Sequence, residues 1–160
     1  MRVLIVSDTH GRHRNLDRAL EEAGKIDVFI HLGDVEGGET YINAVVDCEK
    51  HMVAGNNDFF SDLPNTEEFY LGDKKVFITH GHQFYVSLDP MVVREEGIAR
   101  NADIVMFGHT HRPYLSQKDG VTVLNPGSLS LPRQEGRKGS YMLMETDRSG
   151  EITWQQCYLD

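Results

Sequence analysis

Long apolar runs, cysteines and basic clusters are all scarce in this sequence, and each scarcity excludes a class of protein. No apolar stretch approaches the roughly 20 residues that a membrane-spanning helix needs. The only two cysteines are Cys48 and Cys157. We expect both to be buried free thiols, because the rest of the chain is typical of a cytoplasmic protein. No signal-peptide pattern precedes the first predicted strand, so we expect a cytoplasmic location.

Positive charge is also in short supply, since 16 Lys and Arg residues stand against 25 Asp and Glu residues, a formal net charge of −9. Without a basic stripe, we expect no stable binding to nucleic acid through phosphate neutralisation. An anionic substrate is still compatible, because divalent cations would reverse the local charge of a site. With 160 residues, the chain fits a single domain, residues 1–160, with an adequate core.

Polar residues directly after short apolar runs are the most informative feature that is present. Five runs rich in β-branched and aliphatic residues, of which Val3-Leu4-Ile5-Val6 is the first, are typical of buried parallel strands. Because the carboxyl ends of parallel strands meet in one crevice, we expect the polar residues after them to converge. These residues are Asp8, His10, Asp34, Asn56, His80, His109 and His111.

The donor types predict a site for two metal ions. Carboxylate, imidazole and amide oxygen, without a thiolate, suit Mn²⁺, Fe²⁺, Zn²⁺, Ni²⁺ or Mg²⁺. Two ions about 3.5–4 Å apart, bridged by one carboxylate, would acidify a bridging water to a hydroxide that attacks a phosphoester. Each motif alone is weak, because Asp and Asn are common in turns. His109 and His111 would point to opposite faces of an extended chain, so the site requires a turn there, which Gly108 permits.

The pattern along the chain predicts an α/β fold of two sheets. The first half reads as strand, helix, strand, helix, strand over residues 2–7, 15–23, 27–32, 41–46 and 51–54. The second half predicts a hairpin, a helix that has Pro90 at its first position, and four strands, over residues 68–71, 75–79, 89–99, 104–107, 121–124, 141–146 and 152–158. The later strands alternate apolar and polar residues, so we expect a second, mostly antiparallel sheet. The expected fold is a four-layer α/β/β/α sandwich of two mixed β-sheets flanked by helices.

The order of the motifs resembles that of the calcineurin-like metallophosphoesterases, and more narrowly their small single-domain phosphodiesterase branch. The motifs, within residues 7–128, are Asp-x-His, Gly-Asp, Gly-Asn-x-Asp, His-Gly-His, Gly-His-x-His and Asn-Pro-Gly-Ser. The resemblance implies the sandwich fold and a metal-dependent phosphodiesterase with two divalent ions, Mn²⁺ first and Ni²⁺, Fe²⁺, Zn²⁺ or Mg²⁺ as alternatives. It also implies that Asp34 bridges the ions. The first ion would be held by Asp8, His10 and His111, and the second by Asn56, His80 and His109.

Three further residues are candidates for a catalytic role. Many family members have His directly after the ligand Asn, where it contacts the phosphate and protonates the leaving group, but this chain has Asn57. An asparagine donates hydrogen bonds but does not transfer a proton at neutral pH, so the leaving group needs another acid or leaves without one. Asp58 is expected to support the metal centre or to stabilise a turn. His82 is expected to meet the substrate, to orient His80 or to make a structural hydrogen bond.

Residues around the predicted site have simpler interpretations. We expect His31, inside a predicted strand, to be a hydrogen-bonded core histidine. Asn125 and Ser128 are expected to shape the crevice wall. The polar segment 130–139 is a candidate flexible loop that either contacts a substrate anion or is a solvated connection. Its basic residues are Arg133, Arg137 and Lys138.

Two alternatives to a small-molecule phosphodiesterase come from the same fold. The first is a protein-interaction scaffold like the retromer's phosphoesterase-like subunit, whose metal site is degraded. The filled ligand set argues against this alternative. The second is a nuclease, which the net charge of −9 disfavours. The expected partner is a small-molecule phosphoester and not a membrane. The oligomeric state is open, with a homodimer as one option.

Overall fold

Two five-stranded β-sheets pack face to face in the computed structural model, which describes residues 1–160. The strands are β1 (Arg2–Val6), β2 (Val28–His31), β3 (Glu49–Met52), β4 (Thr66–Leu71), β5 (Lys74–Thr79), β6 (Ile104–Met106), β7 (Pro113–Lys118), β8 (Val121–Pro126), β9 (Ser140–Thr146) and β10 (Ile152–Tyr158). The helices are α1 (Arg14–Ala23), α2 (Glu39–Val45) and α3 (Met91–Ala99), with a 3₁₀ turn over His82–Phe84. None of these helices has the length and apolar character needed to cross a membrane.

Alternation along the central strands divides the core into three apolar layers. In β1, Val3 and Ile5 pack between the two sheets, whereas Leu4 and Val6 face the other way, towards α1. Successive residues of a strand point to opposite faces, which produces this division. The third layer, on the outer face of the second sheet, includes Val93 of α3. The expected fold class, two mixed sheets flanked by helices, is confirmed.

Of the late strands expected in a second, mostly antiparallel sheet, β8 joins the second sheet, but the assignment of β9 and β10 to it is wrong. The first sheet has the order β10-β9-β1-β2-β3, so that β9 lies antiparallel beside β1 and β10 forms the edge. The second sheet has the order β4-β5-β6-β8-β7 and contains parallel pairs at its centre. Alternation indicates how a strand's two faces differ in burial, but it does not say which sheet the strand joins.

Several local predictions also need correction. Strand β7 was missed, because it begins with Pro113 and is largely exposed at a sheet edge, where hydrophobic alternation is weak. Strand β3 begins and ends about two residues earlier than predicted. Pro90 precedes the first residue of α3 as its N-cap rather than occupying the first position. Both cysteines are free, as expected, but they are half-buried rather than buried.

Candidate metal centre

The loops after β1, β2, β3, β5 and β6 bring all seven predicted donors together at the carboxyl ends of these strands. Backbone bonds join the loops within each sheet: His10 N–H donates to Asp34 O at 2.9 Å, and Gly108 N–H donates to His80 O at 3.0 Å. Across the sheets, His109 N–H donates to Asp8 Oδ2 at 3.2 Å. The backbone therefore positions the donors before any ion is bound.

One group of donors lies around Asp8. Ligand atoms of Asp8, His10, Asp34 and His111 all lie within 4.8 Å of one another. Asp8 is fully buried, and its Oδ1 has no hydrogen-bond partner although Nε2 of His111 is 3.0 Å away. A buried carboxylate oxygen without a partner is costly, and a cation in this group would satisfy it.

A second group of donors lies around Asn56. Its Oδ1 is 3.0 Å from Nε2 of His80 and 3.0 Å from Nδ1 of His109. The carboxylate of Asp34 adjoins both groups, because its Oδ2 is 3.5 Å from Nε2 of His80 and 3.9 Å from Nε2 of His10. This intermediate position is the one that a bridging carboxylate needs.

The protonation of the imidazoles indicates that these residues fit metal ions. Nδ1 of His10 faces Glu36 Oε2 at 2.9 Å, and Nδ1 of His111 faces the carbonyl oxygen of Leu131 at 2.8 Å. Because both partners only accept, Nδ1 carries the proton of each neutral ring. The two Nε2 atoms, which are 3.3 Å apart, are the nitrogens left to bind a cation, and Nε2 of His111 also lies 3.0 Å from Asp8 Oδ1. A cation at this point would be shared by two imidazoles and a carboxylate.

The ring of His80 has the same arrangement in the second group. Its Nδ1 lies 2.6 Å from the carbonyl oxygen of Leu32 and donates to it, so Nε2 is the nitrogen that faces Asn56 Oδ1 at 3.0 Å and Asp34 Oδ2 at 3.5 Å. Sequence reasoning missed Glu36, Leu32 and Leu131 as partners that fix the rings. Backbone carbonyls have no sequence signal, and Glu36 differs from other surface acids only in following Asp34 by two residues.

The electrostatics of the cluster favour a bound cation. Burial would raise the pKa of Asp8, but the neighbouring His111 and His80 hold it below its ordinary value. Burial likewise opposes ionisation of Asp34, yet contacts with His80 and Asn57 lower its pKa overall. Burial would lower the pKa of His80, but Asp34 and Asp8 raise it. Both carboxylates are therefore ionised at neutral pH and attract positive charge into the site.

Left-handed backbone is concentrated at these residues. Five of the seven predicted ligands have positive φ angles: Asp8 (56°), His10 (49°), Asp34 (57°), His109 (67°) and His111 (58°). Such angles are uncommon for residues other than glycine, and they cluster at functional sites because the surrounding structure holds them there. The turn that His109 and His111 require is therefore made by these two residues and not by Gly108, which is not left-handed.

The role of Gly108 is steric. A Cβ atom there would collide with Ser7 Oγ and would lie 3.0 Å from both Asp8 Oδ2 and Leu32 O. Gly55 is equally confined, because a Cβ atom would collide with the carboxylate and backbone of Asp34. Glycine at these two positions allows the loops to approach as closely as the donor cluster requires.

The three candidate catalytic residues have different surroundings. Asn57 contacts Asp34 twice, with N–H to Oδ1 at 2.9 Å and Nδ2 to Oδ2 at 2.8 Å. Asp58 accepts backbone bonds from Gly55, Val35 and Glu36, so it joins the loops after β2 and β3. The ring of His82 lies 5.6 Å from that of His80, and its buried Nδ1 has no hydrogen-bond partner. No hydrogen bond links His82 to His80, whose Nδ1 contacts Leu32 instead.

Residues behind the site hold the loops in place. His31 is fully buried and hydrogen-bonds through its two ring nitrogens to Thr9 Oγ1 and Gly33 N–H, so its prediction as a hydrogen-bonded core histidine is confirmed. Burial lowers the pKa of His31 to about 4, so this ring is neutral at pH 7. Asn125 Nδ2 donates to Gly108 O, and Ser128 Oγ donates to Asp8 O. These two residues fix the backbone of the ligand-bearing loops.

Comparison with known families agrees with this geometry. The profile of the calcineurin-like phosphoesterase superfamily domain matches residues 1–149. The chain belongs to this superfamily. The chain is therefore a member of a metal-dependent phosphoester hydrolase family, and its cluster of Asp8, His10, Asp34 and His111 could hold a metal ion.

Individual relatives cover most of this phosphoesterase chain. The probable metallophosphoesterase YsnB of Bacillus subtilis is 34% identical over 145 residues, which are 90% of this chain and 83% of that protein. Phosphodiesterase YfcE of Escherichia coli is 29% identical over 171 residues, with coverage of 92% of this chain and 89% of that protein, and its solved structure superposes with a TM-score of 0.69. Vps29 of Entamoeba histolytica in complex with Zn²⁺ superposes with a TM-score of 0.77 at 26% identity, covering 99% of each chain.

Proposed function

We propose that the chain is a phosphodiesterase that hydrolyses small-molecule phosphodiesters at a dinuclear centre, within one domain covering residues 1–160. The observation that supports the proposal is the cluster of ionised carboxylates and imidazole nitrogens at the adjoining ends of two sheets. Asp34 would contribute to both ions. The first ion would be held by Asp8, His10 and His111, and the second by Asn56, His80 and His109.

Bound divalent ions supply water of lowered pKa and neutralise the charge that develops on the phosphoryl oxygens. The chain's own groups prepare the site for that chemistry. Asn57 holds both oxygens of Asp34 through its N–H and its amide. The carbonyl oxygens of Leu32 and Leu131 keep His80 and His111 in the tautomer whose Nε2 is unprotonated.

Mn²⁺ is the ion that we propose first for this centre. Three of the seven donor residues offer oxygen and four offer imidazole nitrogen, a set of hard and borderline ligands without sulfur. Ni²⁺, Fe²⁺, Zn²⁺ and Mg²⁺ are alternatives with the same donor chemistry. Parallel assays of metal-stripped protein with each ion would rank them, and a higher rate with any other ion would displace Mn²⁺.

The proposal is tested by hydrolysis of bis(4-nitrophenyl) phosphate and 4-nitrophenyl phosphate by metal-stripped protein, with and without Mn²⁺. We expect diester turnover that requires the metal and falls by about 100-fold or more in Asp34→Asn, because ligand changes cost at least as much as changes of supporting residues. Asp62→Asn is the matched control. Asp62 is exposed in the segment after β3 and makes no hydrogen bond or ion pair, so this variant should keep the wild-type rate.

Each other outcome has a definite meaning. Faster turnover of the monoester would overturn the preference for diesters and keep the metal-dependent chemistry. Absence of turnover with every ion, in protein that binds metal, would overturn the enzymatic function. Circular dichroism of Asp34→Asn shows whether a lost rate reflects a lost fold.

A protein-interaction scaffold is the second candidate, because Vps29 shares the fold over 99% of this chain. Since the Vps29 of Entamoeba histolytica forms a complex with Zn²⁺, a filled set of ligands does not by itself separate a scaffold from an enzyme. Catalytic turnover separates the two functions.

A further inference from the structure

A cavity of about 550 Å³ opens beside the predicted metal centre. One wall is apolar, formed by the buried Val86 and Phe107 and by Tyr114, whose ring centroid lies 6.0 Å from that of Phe107. The side chains of Arg112 and Arg133 line the cavity as well. Its volume is within the range of about 300–1,000 Å³ that is usual for sites that bind small molecules.

The cavity is fixed relative to the predicted ligands. Thr110, which lines it, stands between His109 and His111 in the chain. The amide of Asn125 donates to Thr110 Oγ1 at 3.0 Å, and Arg133 N–H donates to the carbonyl oxygen of His111 at 3.0 Å. A phosphoester held at the predicted metal centre would therefore have the cavity next to it, on the side of the loop that carries His109 and His111.

The charge of the cavity differs from that of the rest of the molecule. The guanidinium groups of Arg112 and Arg133 make no hydrogen bond or ion pair with any protein group, and no acidic residue lines the cavity. Other exposed arginines, such as Arg12 and Arg148, are also without a partner, but Arg112 and Arg133 lie on the same cavity. They therefore place two positive charges together in a chain of net charge −9.

We propose that this cavity binds a second phosphate on the substrate. The preferred substrates are then phosphodiesters in which one substituent combines a flat aromatic group with an additional phosphate, as in an ester of a nucleoside bisphosphate. Guanidinium groups bind phosphate through paired, charge-assisted hydrogen bonds, and Tyr114 offers a ring face to the aromatic group. This proposal rests on the phosphodiesterase function proposed above and specifies its substrate class.

The test compares two esters that differ only in the second phosphate: thymidine 5′-(4-nitrophenyl phosphate) with and without a 3′-phosphate. With Mn²⁺-loaded protein, we expect kcat/KM to be about tenfold or more higher for the 3′-phosphorylated ester, the gain typical of a charge-assisted contact. Arg112→Gln and Arg133→Gln should reduce this ratio towards one, and Arg133→Lys should retain part of it. Arg148→Gln, an exposed and unpaired arginine that does not line the cavity, is the control and should leave the ratio unchanged.

Calorimetric titration with thymidine 3′,5′-bisphosphate and thymidine 5′-monophosphate tests binding independently of turnover. Tighter binding of the bisphosphate that is lost in Arg112→Gln would support the cavity's role, whether or not the protein hydrolyses either ester. If the protein hydrolysed neither ester, only the proposed phosphodiesterase function would be refuted. If both esters were hydrolysed with equal kcat/KM and the two nucleotides bound equally, the cavity's role would be overturned. The phosphodiesterase function would stand.

Discussion

At the scale of single residues, five of the ten non-glycine residues with positive φ are predicted ligands of the site. Left-handed backbone at Asp8, His10 and Asp34 is unfavourable for residues with a Cβ atom, and it persists because neighbouring loops hold it. Nε2 of His10 and Nε2 of His111 lie 3.3 Å apart, and Nε2 of His111 lies 3.0 Å from the buried Asp8 Oδ1. Both features cost stability in the absence of an ion, as is usual where binding has shaped a site.

Asn57→Ala tests how much Asn57 contributes to the site by holding the Asp34 carboxylate. The substitution removes the hydrogen bond, 2.8 Å long, that Asn57 Nδ2 donates to Asp34 Oδ2. The Asp34 carboxylate is then less firmly oriented and more basic. We expect Mn²⁺ affinity or kcat/KM to fall about 10- to 100-fold, measured by metal titration and diester hydrolysis. Asn65→Ala changes an exposed asparagine in the same segment and serves as the control. Unchanged affinity and rate in Asn57→Ala would mean that Asp34 is held without this residue.

At the scale of elements, the site depends on how closely the loops after strands of different sheets can approach. The loop after β6 reaches the loop after β1 at Gly108, where a side chain would meet Ser7 and Asp8. The peptide N–H of His109 then donates to Asp8 Oδ2 at 3.2 Å. Glycine at position 108 therefore allows loops of the two sheets to meet at the donor cluster.

Gly108→Ala should separate these loops. We expect a loss of about 1–3 kcal/mol of unfolding free energy from overpacking, measured by urea denaturation, and weaker binding of Mn²⁺. Gly150→Ala is an informative comparison, because its φ of 87° is strained for alanine while a Cβ atom would meet nothing within 4 Å. If both variants lost stability equally and Gly108→Ala bound metal normally, close packing at residue 108 would not be needed for the site.

At the scale of the whole molecule, the predicted ligands come from both sheets. Asp8, His10, Asp34 and Asn56 follow strands of the first sheet, whereas His80, His109 and His111 follow strands of the second. Bound ions would therefore connect the two sheets directly, and they would offset the repulsion between the carboxylates of Asp8 and Asp34. Any ion that binds the folded chain alone also shifts the unfolding equilibrium.

We accordingly expect Mn²⁺ to raise the Tm of metal-stripped protein. At about 100 times its Kd an ion contributes about 2.7 kcal/mol, which corresponds to roughly 5–10 °C for a domain of this size. Differential scanning calorimetry with and without the ion measures the shift. Asp34→Asn should lose most of it, whereas Asp62→Asn should keep it. An equal shift in Asp34→Asn would place the stabilising ion elsewhere on the molecule.

The sequence by itself determined the α/β class and the strands that precede the site, and it predicted the seven polar residues that the structure brings together. It could do so because apolar strand runs and the residues after them are local features, and parallel strands end at a common edge. Asp8, His80 and His111 could thus be nominated from their position after a strand alone.

Only the tertiary structure decided which sheet β9 and β10 join, because pairing partners depend on contacts between distant segments. It also decided that Asn57 faces Asp34, that backbone carbonyls set the tautomers of His80 and His111, and that Arg112 and Arg133 line one cavity. These facts concern side-chain direction and distance between residues far apart in the chain. No local pattern encodes them, since they arise when the two sheets pack together.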